Sequence, residues 1–170
     1  DILRPRTKAS DIVDAFAQVL RRCDEEGVRM ILLSGANPSK QLPMGSVFQR
    51  RGDELSRAVD VHFTGRDDVF RALNWPDDEL ATPPYWSEDR LHMNVRGHHR
   101  VAARVLDAVG QQAPEEWWSL PEIETVGPRG WDYYREHVGP WIQRRLTRTS
   151  SGDGREPKYG LWHVMEPADR

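Results

Sequence analysis

Residues 12–35 read IVDAFAQVLRRCDEEGVRMILLSG, and two different periodicities meet inside this stretch at Gly27. Ile12, Phe16, Val19, Leu20 and Cys23 recur at helical spacing, which lays one apolar stripe along a helix face. Thr7 or Ser10 can supply an N-cap oxygen, and Gly27 is placed to end the helix in the left-handed conformation that a Cβ disfavours. Val28-Arg29-Met30-Ile31-Leu32-Leu33 follows as a nearly continuous apolar run that stops at Ser34-Gly35, as expected of a buried strand in a mostly parallel sheet. A helix leading into a buried strand predicts the α/β class.

Working outward, Asn37 to Gly45 contains Pro38 and Pro43 and reads as a loop, at a point where alternating strands and helices usually carry functional loops. Ser46 to Val59 predicts a second helix, weakened by Gly52, and Val61-His62-Phe63 predicts a very short strand. Asp67 to Leu73 reads as a helical turn or two, after which Trp75-Pro76 and Thr82-Pro83-Pro84 interrupt regular structure. From Gly97 a last core helix is expected, with Val101, Ala102, Val105, Leu106 and Val109 as its apolar stripe and Gly110 at its end.

Beyond that helix the composition shifts. Residues 111–130 are rich in Pro, Glu and Trp, and Trp131, Tyr134, Val138, Trp141 and Ile142 then keep helical spacing despite Pro140. The expected organisation is an α/β domain over 1–110, a Pro/Trp-rich segment and kinked helix covering it over 111–146, and a flexible tail over 147–170.

Length and composition bound the function. A chain of 170 residues suits one domain, and its 12 prolines and 13 glycines imply some irregular structure. The net charge of −3 argues against the broad basic footprint that nucleic-acid binding needs. Cys23, the single cysteine, cannot form an internal disulfide and reads as a small core residue in its helix. No run approaches the roughly 18 apolar residues of a membrane span, and the N-terminus has no apolar signal region, so a soluble, cytoplasmic chain is expected. The start at Asp1 rather than methionine is consistent with a truncated or processed chain.

Chemistry concentrates in Trp86-Ser87-Glu88-Asp89-Arg90-Leu91-His92-Met93-Asn94-Val95-Arg96-Gly97-His98, where an acid and a histidine stand three positions apart. A histidine that serves as general base for a hydroxyl must be held in one tautomer, and a nearby carboxylate does this by accepting its Nδ1 proton. In that reading Asp89 orients and His92 shuttles the proton. The spacing alone is weakly specific, and the bland alternative is a pair that pins a loop.

The wider pattern, D-R-L-H followed by N-x-x-G-H and an apolar helix, resembles the last conserved block of SGNH (GDSL-type) serine hydrolases. Asp1-Ile2-Leu3-Arg4-Pro5 before a long helix is similar to the continuation of that family's G-x-N-D block, with Asp1 as its final acid. Arg144-Arg145-Leu146, Ser150-Ser151-Gly152-Asp153-Gly154 and Pro157-Lys158 are similar to the C-terminal extension of actinobacterial-type members. The resemblance covers most of the chain and blurs between about Val47 and Pro84.

It implies a three-layer α/β/α, flavodoxin-like fold and hydrolysis of a small-molecule ester or acylated substrate through an acyl-serine, with no metal or organic cofactor. His92 and Asp89 would be catalytic, and Asp1 and Trp86 would flank the substrate cleft. The serine, glycine and asparagine of the family's oxyanion machinery would lie upstream of Asp1, so the chain is expected to be inactive alone. Loss of an inner strand would leave a sheet edge open to self-association.

The remaining candidates have plainer readings. Ser151-Gly152-Asp153 has the motif's letters in the wrong order, and Gly35-Ala36-Asn37 mimics G-x-N but continues into Pro38, so Asn37 reads as a turn residue. His98 and His99 open the last helix, where His98 is expected to pack or cap. His62, His137 and His163 lack partners at metal-ligand spacing. Trp117, Trp118, Trp131 and Trp141 fit an amphipathic cover, and Arg144, Arg145 and Arg148 a solvated face. Two other classes stay open: a non-catalytic module in which Asp89 and His92 are structural, and a different α/β enzyme whose nucleophile is Ser34 or Ser46.

Overall fold

In the computed structural model, which describes residues 7–119, 130–147, 149 and 154–156, helix α1 spans Ala9–Glu25. Its N-terminus is closed by neither Thr7 nor Ser10. Lys8 is the N-cap, and its backbone N–H donates to the Asp11 carboxylate at 3.2 Å, which also sets a negative charge at the positive end of the helix dipole. At the other end Gly27 takes φ 66°, letting Val28 N–H reach Cys23 O at 2.8 Å and Gly27 N–H reach Asp24 O at 3.2 Å. These two bonds satisfy carbonyls that the helix leaves orphaned.

Strand β1 (Met30–Leu33) pairs in parallel with β2 (Val69–Ala72), Met30 opposite Val69 and Leu33 opposite Ala72. Helix α2 (Gly45–Phe63) makes the crossover, so the chain builds a βαβ unit and the class is mixed α/β with a two-stranded parallel sheet among the described residues.

Two sequence expectations are corrected here. Val61–Phe63 is the last turn of α2 and not a strand, while Val69–Ala72, within the expected helical turn of 67–73, is β2. Segments this short carry no decisive period of their own, and pairing with distant β1 settles the conformation. Phe63 is fully buried with Val13, Leu20, Leu32 and Val69, which form the core between α1, α2 and one sheet face.

A third correction concerns β1, which is half-buried: Leu32 faces that core, whereas Ile31 and Leu33 are 41% and 53% exposed. Gly52, which weakened the helix prediction, is required by packing, because a Cβ there would lie 1.9 Å from the Trp75 ring.

The carboxyl ends of the two strands are stapled together. Ser34 N–H continues the ladder to Ala72 O at 3.1 Å, and Ser34 Oγ accepts from the N–H groups of Asn74 (2.7 Å) and Trp75 (2.9 Å). Helix α3 (Val95–Ala108) packs against β2 and ends, as expected, with Gly110 at φ 73°. A second core of Leu80, Tyr85 and Trp86, joined by Ala36, Met93 and Val101, lies under the loop that precedes α3.

Asp77 ties that loop to the helix. Its carboxylate accepts from Arg100 at 2.7 and 3.1 Å, from Arg104, and from the Glu79 and Leu80 N–H groups at 3.1 Å each. Burial opposes its ionisation, but the bonds from Arg100 and the Leu80 N–H outweigh this and hold its pKa below the usual carboxylate value.

The chain divides into two compact units, Asp1–Gly127 and Pro128–Arg170. Trp117 and Trp118 belong with the first: Trp117 stacks on His99 with ring centroids 4.9 Å apart, and the Trp118 carbonyl accepts from Arg100. In the second, α4 (Trp131–Tyr133), a π-helical segment (Tyr134–Val138) and α5 (Gly139–Thr147) run on as one helical stretch. Pro140 has no N–H to donate to the carbonyl four residues back, and the widened turn ahead of it, with Gly139 N–H bonded to Tyr134 O, accommodates the ring. Among the described residues no helix is long and apolar enough to cross a membrane.

Candidate acid–histidine site

The loop bearing Asp89 and His92 is a short hairpin-like excursion built on the 3-10 turn Pro83–Tyr85. Trp86 and Met93 form an antiparallel bridge at its base. Above the bridge Ser87 N–H donates to His92 O and Arg90 N–H to Ser87 O, both at 2.8 Å. Arg90 turns the chain through the left-handed region at φ 58°, an uncommon conformation for a side chain with a Cβ.

That reversal points the backbone of the next two residues at Asp89. Asp89 Oδ1 accepts from the N–H groups of Leu91 and His92 at 3.0 Å each, and Oδ2 lies 2.6 Å from His92 Nδ1. Burial works against the charge on Asp89, yet the hydrogen bonds from the His92 backbone, the His92 ring and the Leu91 N–H prevail and depress its pKa. With the carboxylate ionised, Nδ1 of a neutral ring carries the proton and Nε2 is left as the acceptor.

The ring is open to solvent, the His92 side chain being 75% exposed and that of Asp89 27%. Such an arrangement can take a proton at Nε2, stabilise the resulting imidazolium through the carboxylate, and return the proton to a leaving group.

The other sequence candidates are distributed differently. Trp86 is only 5% exposed, and its indole N–H donates to Leu80 O at 2.9 Å, so it sits in the core beneath the loop and holds up its base. Asp1 lies outside the described residues, as do Ser150–Asp153, Pro157, Lys158, His163 and Arg148.

Ser34 Oγ is committed to the Asn74 and Trp75 amides, and Ser46 is exposed in the first turn of α2. Among the described residues no serine hydroxyl is hydrogen-bonded to His92, so the reading that takes the nucleophile from Ser34 or Ser46 loses the contact it requires. Asn37 is a turn asparagine: Oδ1 accepts from Ser39 N–H at 3.0 Å and Nδ2 donates to Gln49 at 2.8 Å. His98 is exposed and neither packs in the core nor caps, the capping side chain being that of Asn94.

Sequence reasoning gave Asn94 no role, although an asparagine immediately before a helix is itself the N-cap signal. Its Oδ1 accepts from Gly97 N–H at 3.1 Å. Gly97 lets α3 close on the loop, since a Cβ would lie 2.4 Å from Tyr85 O. Among the described residues no group of three or more His, Cys, Asp or Glu is placed to hold a metal ion. Comparison of the chain with protein-family models, curated proteins and solved structures found no match.

Proposed function

We propose that Asp89 and His92 are the acid–base half of a serine-hydrolase site of the SGNH type, acting on a carboxylic ester or acyl group, with the nucleophilic hydroxyl supplied from outside the described residues. The observation that carries this reading is the 2.6 Å contact between the Asp89 carboxylate and His92 Nδ1, on a histidine side chain that is largely exposed. A carboxylate in that position fixes the tautomer a general base needs. The βαβ unit fits the three-layer flavodoxin-like arrangement that the resemblance implies, of which it would be one part.

In the complete site His92 takes the hydroxyl proton as the oxygen attacks the acyl carbonyl, and gives it to the leaving alcohol as the tetrahedral intermediate collapses. Water then repeats the cycle on the acyl-serine.

The test separates base from nucleophile. p-Nitrophenyl acetate is mixed with the chain and with an added small alcohol as surrogate nucleophile. The alcohol-dependent rate is expected to fall several-fold in His92→Gln and in Asp89→Asn, and a fluorophosphonate probe is expected to label no serine. Equal rates in wild type and His92→Gln would remove the reading.

The competing module reading, in which the pair merely pins the loop, draws support from the two backbone N–H bonds to Asp89. It predicts those equal rates together with a lower melting temperature for Asp89→Asn.

A further inference from the structure

One side chain that takes no part in the dyad, that of Asn94, bonds to both sides of the base of the Asp89–His92 loop. Asn94 stands two residues after His92, and its amide nitrogen donates to Pro84 O at 2.8 Å and to Trp86 O at 3.3 Å. Its backbone N–H donates to Tyr85 O at 3.1 Å, while its side-chain oxygen caps α3 through Gly97 N–H at 3.1 Å. Every residue of the segment entering the loop from Pro84 to Trp86 is thus bonded to Asn94, and α3 is bonded to it as well.

We infer that Asn94 is a positioning residue for His92. It locks the segment entering the loop against the segment leaving it, and both against α3, so that the Asp89 carboxylate and the His92 ring stay in register at the tip.

A simple helix cap would need only the oxygen. The nitrogen's two carbonyl contacts lie on the entering segment and do nothing for α3's own amides, so they serve the loop. Just above them the Trp86–Met93 bridge and the Ser87-to-His92 bond are the pairings that carry this alignment to the dyad. Trp86 cannot slide to compensate, because its indole is buried and bonded to Leu80 O.

Asn94 is a positioning residue in the catalytic sense only if the hydrolase reading holds. The readouts need no turnover, so failure of the ester assay and failure of this inference are separate results.

The variant that isolates the nitrogen is Asn94→Ser, whose hydroxyl can still cap Gly97 but cannot span to the Pro84 and Trp86 carbonyls. Ring nitrogen shifts of isotopically labelled His92 and the carboxyl titration of Asp89 are followed by NMR. Wild type is expected to show one neutral tautomer, with the proton on Nδ1. Asn94→Ser is expected to show both tautomers, with Asp89 titrating back toward its ordinary range. A variant that melts lower but keeps a single Nδ1–H tautomer and an unmoved Asp89 titration would reduce Asn94 to a helix cap and overturn the inference.

Should Asn94→Ser not fold, native-state hydrogen exchange of the wild-type chain decides. The Ser87, His92 and Gly97 amides are expected to open together, with protection within about three-fold of one another. Exchange of Ser87 and His92 more than about ten-fold faster than Gly97 would overturn the inference.

Discussion

Asp89 grips His92 at two points, the ring through Nδ1 at 2.6 Å and the main chain through its N–H at 3.0 Å. One carboxylate therefore sets both where the histidine stands and which way its ring faces. The left-handed turn at Arg90 makes this possible by folding the peptide back over the acid within three residues.

The first prediction follows from the depressed pKa of Asp89. A carboxyl group whose folded pKa lies below its unfolded value of about 3.9 adds stability that is complete above that value and is lost as pH falls through the folded pKa. Melting temperatures of wild type and Asp89→Asn should therefore differ by a constant amount at neutral pH, and the gap should shrink as pH falls through the acid range. A gap that stays the same at every pH would show that the charge on Asp89 contributes nothing.

Gly97 and Gly110 offer a paired test of close approach against backbone conformation. Gly97→Ala puts a Cβ 2.4 Å from Tyr85 O and 2.8 Å from the Met93 Cβ, so α3 must back away from the loop. A loss of about 1–3 kcal/mol is expected by urea denaturation, with a disturbed His92 ring signal. Gly110→Ala meets no atom within 4 Å but must hold φ 73°. Its cost should be about 1 kcal/mol, with the His92 signal untouched.

The open side of β1 leads to the third. Ile31 and Leu33 present apolar side chains to solvent on a strand that, among the described residues, is paired only with β2. Such an edge invites pairing with a second chain. Concentration-dependent association is expected in sedimentation, and Leu33→Lys should weaken it several-fold. A monodisperse wild-type monomer at high concentration would contradict this.

Much of the candidate site could be read from the letters. Asp89 and His92 were singled out by a spacing that lets a carboxylate and a ring meet across a single turn, together with the resemblance of the D-R-L-H and N-x-x-G-H blocks around them. Trp86 was placed in a cleft by nearness to Asp89 along the chain, but its indole N–H finds Leu80 O and the ring is buried. Alternation at the base of a hairpin decides which neighbour faces inward, and no local pattern discloses where a hairpin begins. Asn94 was quoted in its motif without a role, because the carbonyls its nitrogen reaches, those of Pro84 and Trp86, become its neighbours only when the loop closes.

Residues 9–35 carried their structure in their own order. A helical apolar period, a glycine suited to φ 66° and a following apolar run are local properties, and α1, its Gly27 end and β1 formed where they pointed. The fate of Val61–Phe63 and Val69–Ala72 was settled by the assembled fold, since each is too short to hold a conformation without a partner. Phe63 reached the core as the end of a helix, and Val69–Ala72 became a strand because β1 offered unpaired carbonyls and amides along its length. Burial and hydrogen-bond satisfaction belong to the whole molecule, and where local preference is weak they choose the structure.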